Sequence, residues 1–206
     1  VTEQESHPPK GLHAMTQIVL GSSSPFRKQL LEKLGLPFVC HSPKVDETPF
    51  ENEAPDELVK RLALIKAQAV AVAHPNALII SSDQVSVLQG KICGKPGTRE
   101  IAIEQLTASS GKRVQFYTSL CIYDAKTRRH LLDLDTYDVN FRTLTHEQIA
   151  RYVDKEAPLN CAGSFKSEGY GITLFKSLEG KDPNTLIGLP LILLVDMLKK
   201  FDIELP

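Results

Sequence analysis

The stretch Ala77-Leu78-Ile79-Ile80-Ser81-Ser82-Asp83-Gln84-Val85 decides how the rest of this chain is read. An apolar run of this length, rich in branched side chains, describes a buried strand. It stops abruptly at two serines and a carboxylate. Open α/β sheets bind ligands in the crevice at their strand ends, so Asp83 is expected to face such a crevice. With Ile79, Ile80 and Val85 buried around it, that acid needs a metal, a cation or a chemical role. Basic residues recur on either side, at Arg27, Lys66 and Lys95. One acid among scattered cations suits a metal-assisted reaction on a phosphate ester.

Upstream, Gln17 to Gly21 reads as a short strand, and Ser24-Pro25 supplies an N-cap and a first-turn proline. Phe26, Leu30, Leu31 and Leu34 follow at helical spacing, and Gly35 ends that helix. Phe38 to His41 is a second strand, and Pro43 to Ala54 is irregular and acidic. Pro55 to His74 is the clearest helix, with Leu58, Leu62, Ile65, Ala69 and Val72 as its apolar stripe.

Downstream, Gln84–Leu88 and Lys91–Cys93 flank Gln89-Gly90 as a hairpin, and a helix runs from Thr98 to Ser109. Arg113–Asp124 and Leu131–Arg142 are two long strands. Thr145 caps a helix toward Glu156, with Gln148 in the capping-box position. A glycine-bearing loop, Gly163 to Gly171, leads to a strand at Ile172–Phe175. A loop through Asn184 and an apolar helix from Pro190 to Lys200 close the chain. The order predicts a mixed α/β fold, with a helix-flanked early sheet and a longer antiparallel section. Val1 to Ala14, lacking apolar periodicity, reads as a tail, an expression remnant or an alternative start. Residues 15–206, beginning at Met15, read as a single domain.

At 206 residues, with 42% hydrophobic and 24% charged residues, the composition is that of an ordinary soluble globular protein. A net charge of −1 gives no general attraction to nucleic acid or anionic membrane. Any polyanion must therefore be held locally. Cys40, Cys93, Cys121 and Cys161 lack zinc-ligand spacing, which predicts reduced, mostly buried thiols in a cytoplasmic protein.

Several motifs carry two readings. The loop Gly21-Ser22-Ser23-Ser24-Pro25-Phe26-Arg27 can present amides and hydroxyls to phosphate, or it can be a serine-rich cap. Arg27 favours the former, because a cation in a first helical turn is disfavoured unless an anion joins it. The loop is no nucleophile elbow, since Pro25 stands where the last glycine belongs. Gly90 to Pro96 is no P-loop, being one residue short and lacking the metal-binding hydroxyl. Lys95 reads as a surface lysine or a point charge for phosphate. Lys66 is either a snorkelling side chain or a phosphate contact. Glu47 is either a solvated loop acid or, with Asp83, half of a magnesium site completed by phosphate and water.

In order and spacing these segments resemble the Maf family of nucleoside triphosphate pyrophosphatases. The resemblance spans Gln17 to Phe201 and rests on Gly21–Arg27, Val45-Asp46-Glu47-Thr48, Lys66-Ala67, Ser82-Asp83-Gln84-Val85, Gly94-Lys95-Pro96 and Gly163–Gly169. Within the family it is similar to the branch acting on 7-methyl-GTP. Gln84 stands where the dTTP/UTP-hydrolysing branch typically has threonine, and Cys161 to Gly169 also matches.

The resemblance implies a mixed, elongated sheet flanked by helices around a deep central cleft. It implies cleavage between the α and β phosphates with a divalent cation, magnesium or else manganese or cobalt. Asp83 would be the general base or the metal-bound acid that readies water, and Glu47 would share the cation. Ser22, Arg27, Lys66 and Lys95 would hold the triphosphate. Phe26, Gln84 and Glu168 would select the base. A cytoplasmic homodimer, with no nucleic-acid or membrane partner, is implied too. The alternatives are a broader house-cleaning pyrophosphatase for modified nucleotides and a non-catalytic nucleotide sensor affecting cell division.

Overall fold

Strand β1 (Ile18–Leu20) lies parallel to both β2 (Phe38–Cys40) and β3 (Leu78–Ser81), with Val19 opposite Val39 on one side and Ile79 on the other. The connections are helix α1 (Pro25–Glu32) and helix α2 (Pro55–Ala73), as parallel pairs require crossovers. The computed structural model describes residues 16–205. The expected tail, Val1–Ala14, and the start at Met15 lie outside them.

The remainder of the sheet is antiparallel. Strand β6 (Arg113–Asp124) carries β3 and β4 (Gln84–Leu88) along one edge and β7 (His130–Phe141) along the other. Strand β5 (Lys91–Cys93) adds to β4, and β8 (Phe175–Gly180) adds to β7. Gln89 and Gly90 both have positive φ, the requirement of the tight hairpin expected there. The sheet is the mixed, helix-flanked one expected.

The break between β3 and β4 sets the chemistry. Ser81 pairs with Cys121 and Gln84 with Thr118, three steps on each strand, so the register on β6 is unbroken across Ser82-Asp83. Alternation therefore continues through the gap. Leu78 and Ile80 pack with Leu30, Leu31, Leu194 and Leu198 on one face. That face is covered by α1 and by α6 (Leu191–Leu198). Ile79 packs with Ala63, Ala67 and Val70 of α2 on the other. By the same parity Asp83 turns toward α2, and Ser82 and Gln84 turn away from it.

Helix α2 is rotated from the expected stripe. Its buried side runs through Leu58, Val59, Leu62, Ala63, Lys66, Ala67 and Val70, while Val72 is 86% exposed. Two buried hydroxyls account for this. Ser119 Oγ donates to the Val59 carbonyl and Ser81 Oγ to the Ala63 carbonyl, both at 2.6 Å. Those bonds need a close approach, which alanines permit and larger side chains would block.

Two further expectations are corrected. Of the expected strand Ile172–Phe175 only Phe175 is one, as the first residue of β8: Tyr170–Leu174 forms a 3-10 helix and Ile172 is exposed. The backbone at Gly171 packs so tightly on Lys166 that a Cβ would lie 2.2 Å from its carbonyl oxygen. The chain is therefore already folded back, and pairing begins only at β8, where β7 offers a partner. The expected loop before the final helix contains helix α5 (Pro183–Ile187). Asp182, only 1% exposed, caps it through the Asn184 N–H and also accepts from the Ile192 N–H, each at 2.8 Å.

Helices α3 (Arg99–Ser109) and α4 (His146–Glu156) cover the β4–β8 end. Both halves of the expected Thr145–Gln148 capping box are present. The cysteines form no disulfide, but only Cys121 is buried; Cys93 and Cys161 are half-buried and Cys40 is exposed. Thiols were expected to sit mostly inside, yet the loop and edge positions of the other three leave them reachable. Among the described residues no helix is long and apolar enough to cross a membrane.

Candidate active site

Asp83 occupies the two-residue interruption of the sheet, where its backbone is fixed by strand β6. The Asp83 N–H donates to Ser119 Oγ at 3.1 Å, and the Ser119 N–H donates to the Asp83 carbonyl at 2.9 Å. Its side chain points to α2 and meets Lys66, whose Nζ lies 2.5 Å from Oδ1. Both residues are 7% exposed. The same Nζ lies 3.0 Å from Oε1 of Glu47, whose side chain is largely open to solvent. One ammonium thus bridges two carboxylates from separate parts of the chain.

The loop bearing Glu47 is tied to α2 by a residue that sequence reasoning did not single out. Arg61 donates through Nε and Nη2 to both oxygens of Glu53, at 2.5 and 2.7 Å, and through Nη2 to the Thr48 carbonyl. Its guanidinium also lies over the Phe50 ring, 3.9 Å from the centroid. This forked clamp sets Glu47 on the side of the helix that carries Lys66.

Arg27 approaches from α1. Its Nε donates to the Gly188 carbonyl at 2.7 Å, and among the described residues no acceptor engages its two terminal nitrogens. Burial pushes its guanidinium pKa down, while the charges of Asp83 and Glu47 counteract that shift. That opposing influence places Arg27 electrostatically beside the Glu47–Lys66–Asp83 cluster. Ser22 is buried in the same loop. Its hydroxyl accepts from the Ser24 N–H, and Ser24 Oγ caps the helix by accepting from the Arg27 N–H. The serines therefore satisfy two amides internally. What this loop offers an anion is chiefly the Arg27 guanidinium.

The segment Thr185–Gly188, also unforeseen, is a cradle of backbone acceptors. The Gly188 carbonyl takes hydrogen bonds from Arg27 Nε and from Ser82 Oγ, the latter at 3.0 Å. The carbonyls of Thr185 and Leu186 accept from Gln84 Nε2 at 2.9 and 3.2 Å. Its sequence signals were Asp182-Pro183 as cap and first turn and Gly188 as stop.

Thus Glu47, Lys66 and Asp83 meet on the α2 side of one break in the sheet, with Arg27 electrostatically beside them. Gln84, turned to the other side of the break, meets Thr185 and Leu186. Ser22 stays in the loop after β1 with its hydroxyl taken by the Ser24 N–H, and Phe26 neighbours Arg27 on α1, partly buried. Lys95 and Glu168 do not join that cluster by direct contact. Both are exposed and lie near Cys161, whose thiol pKa is pushed up by burial and is also moved by Lys166, Glu168, Lys95 and Glu156. A ligand touching both groups would have to span the distance between them. An open cavity of about 400 Å³ lies elsewhere, lined by Val87, Gln89, Gly90, Lys112, Arg113 and Gln115.

The donor set fits a divalent ion of the magnesium type. Glu47 and Asp83 already converge on one cationic group, the Lys66 ammonium. Among the described residues no cluster of three or more His, Cys, Asp or Glu exists. An all-protein cage is therefore not available, whereas two carboxylates with substrate phosphate and water are what magnesium commonly uses.

A family model described as Maf-like protein matches residues 17–201. The chain is 59% identical over 189 residues to the 7-methyl-GTP pyrophosphatase of Vibrio parahaemolyticus, covering 92% of this chain and 97% of that one. It is 58% identical over 189 residues to the protein of the same name from Alcanivorax borkumensis, covering 92% and 96%. Among solved structures, the Ham1 protein of Staphylococcus aureus superposes with a TM-score of 0.46 at 18% identity, over 62% of this chain and 73% of that one.

Proposed function

The chain belongs to the Maf-like family, and on that footing we propose that it is a nucleoside triphosphate pyrophosphatase converting 7-methyl-GTP to 7-methyl-GMP and pyrophosphate. The observation that carries this reading is the convergence of Glu47, Lys66, Asp83 and Arg27 at a sheet break. The names of relatives more than half identical to it support the choice of substrate.

In the reaction the oxygen of water bonds to the α phosphorus. The α–β anhydride bond breaks, and its electron pair leaves on pyrophosphate. Asp83 receives the water proton. A divalent cation held by Glu47 and Asp83, with manganese or cobalt able to replace magnesium, would neutralise phosphate charge and acidify bound water. Arg27 and Lys66, aided by Ser22 and Lys95, bind the triphosphate and offset the charge that develops on the leaving group. The chain supplies mostly positioning, which is what phosphoryl transfer demands.

Phe26, Gln84 and Glu168 contact the base. Methylation at the seventh ring atom makes guanine cationic, so an aromatic face and a carboxylate favour it over unmodified guanine. The aromatic share is about 0.5–2 kcal/mol, depending on desolvation. The same reading makes the protein a cytoplasmic homodimer of one domain, residues 15–206, acting on a free nucleotide.

Purified protein with magnesium should release pyrophosphate and the monophosphate from 7-methyl-GTP, and Asp83→Ala should lose nearly all turnover. Release of orthophosphate would instead indicate a phosphatase. Tight binding without turnover would indicate a nucleotide sensor.

A further inference from the structure

Gln84 is the residue after the proposed catalytic acid, and its carboxamide can adopt only one orientation. The nitrogen side faces three groups: the carbonyls of Thr185 and Leu186 and the hydroxyl of Thr118, the last at 2.8 Å. Carbonyls only accept, so the NH₂ end must lie against them. The Thr118 hydroxyl reinforces the choice. It donates to the Thr185 carbonyl at 2.9 Å, which leaves its lone pairs to accept from Gln84. Thr118 is fully buried, so water cannot substitute for either bond. The Thr185 hydroxyl in turn donates to Asp135 Oδ2 at 2.6 Å, tying the cradle to strand β7.

The consequence concerns the other end of the amide. With its NH₂ consumed, Gln84 keeps Oε1, which no protein donor engages among the described residues. That oxygen can serve a ligand only as an acceptor. It recognises N–H groups, which the Watson–Crick edge of guanine presents as an adjacent ring N–H and amino group. Free to flip, a glutamine would serve donors and acceptors alike and select nothing.

We propose that Thr118 is a positioning residue for base selection: by holding the Gln84 carboxamide through its NH₂ end, it fixes Oε1 as an acceptor for the donor edge of a guanine-type base. This deepens the function proposed above and rests on it for the identity of the base.

The test compares Thr118→Val, Thr118→Ser, Gln84→Ala and the double variant Thr118→Val/Gln84→Ala with wild type. Valine keeps the shape and removes the hydroxyl; serine keeps the hydroxyl. Two readouts are taken. The first is kcat/KM for 7-methyl-GTP relative to 7-methyl-ATP, whose edge places a ring acceptor where guanine has a donor. Thr118→Val should lower that ratio about five- to tenfold, mainly through KM, the size expected for one neutral hydrogen bond. Thr118→Ser should retain the ratio, and the valine change should add nothing once Gln84 is alanine. The second is hydrogen exchange of the Gln84 side-chain NH₂ by NMR, slow in wild type and the serine variant, fast in Thr118→Val.

An unchanged ratio in Thr118→Val, an equal fall for both nucleotides, or an additive effect in the Gln84→Ala background would overturn the proposal. A side-chain amide that exchanges equally fast in wild type would do so as well. If wild type cleaves neither nucleotide while its Gln84 amide is protected, the proposed function and the base-selecting role fail together. The hydroxyl lock itself would still stand as measured.

Discussion

The ammonium of Lys66 stands 2.5 Å from Oδ1 of Asp83, and both side chains are enclosed between helix α2 and the sheet. Removing one charge from such a pair leaves the other desolvated without compensation, which is the costly case. Lys66→Met should lower unfolding free energy by about 3 kcal/mol, read from urea denaturation at neutral pH. The double change Lys66→Met/Asp83→Leu should recover much of that loss while remaining inactive, since it replaces the pair with apolar contacts. A Lys66→Met protein that unfolds at the wild-type midpoint would show that the pair contributes nothing to stability.

Gly188 has φ of +124°, and a Cβ placed there would lie 3.4 Å from Arg27 Nε. A side chain at this position is strained by its backbone, at a cost of about 1–3 kcal/mol, and it crowds the guanidinium that its own carbonyl holds. Gly188→Ala should therefore raise KM for the triphosphate more than it lowers kcat, because Arg27 is displaced while Asp83 is untouched. Steady-state kinetics decide this. A fall in kcat at constant KM would mean that Arg27 does not act in substrate binding.

Much of this arrangement was legible in the chain where the signal is local. Asp83 at the end of Ile79-Ile80, the Gln89-Gly90 turn and the Thr145–Gln148 cap depend on neighbours within a few residues. The facing of α2 was less so. Hydrophobicity alone selects Val72 and rejects Lys66 from the buried side. Lys66 goes inside because Glu47 and Asp83 meet it, and because Ser81 and Ser119 bond to the carbonyls of Ala63 and Val59. Asp182-Pro183 and Gly188 signal the turn at Thr185–Gly188, but its role as a cradle was hidden for a similar reason. Its chemistry is backbone carbonyls, common to every residue, and its clients Gln84 and Arg27 lie more than a hundred residues away. No side-chain pattern announces such a partner.

The four thiols should differ sharply in reactivity. Burial pushes the Cys121 thiol up to about 12, with the neighbouring Ser81 hydroxyl acting the other way. Cys93 and Cys161 are also raised by burial, and Cys40 is exposed. Thiolate is the reacting form, so near neutral pH Cys121 holds more than roughly a thousandfold less of it than an ordinary cysteine. Iodoacetamide labelling followed by mass spectrometry should find Cys40 first, Cys93 and Cys161 more slowly, and Cys121 only after unfolding. Equal labelling of Cys40 and Cys121 in native protein would contradict the buried position of β6.

The clamp on the Glu47 loop should have an acid limit. Hydrogen bonds from Arg61 hold the Glu53 carboxyl below its ordinary value of 4.5, despite an opposing contribution from burial. A carboxyl whose folded pKa is depressed binds protons more readily in the unfolded chain. Its stabilising share is therefore complete above about pH 4.5 and is lost as pH falls through the lower folded value. Glu53→Gln removes that share at every pH. The variant should unfold at lower urea than wild type near pH 7, and the two midpoints should draw together as pH falls below 4.5. Because Arg61 also holds the Thr48 carbonyl, the variant should loosen Glu47 and need more magnesium for half-maximal activity. A midpoint difference that stays constant across this range would mean that Arg61 supports the loop without the Glu53 charge.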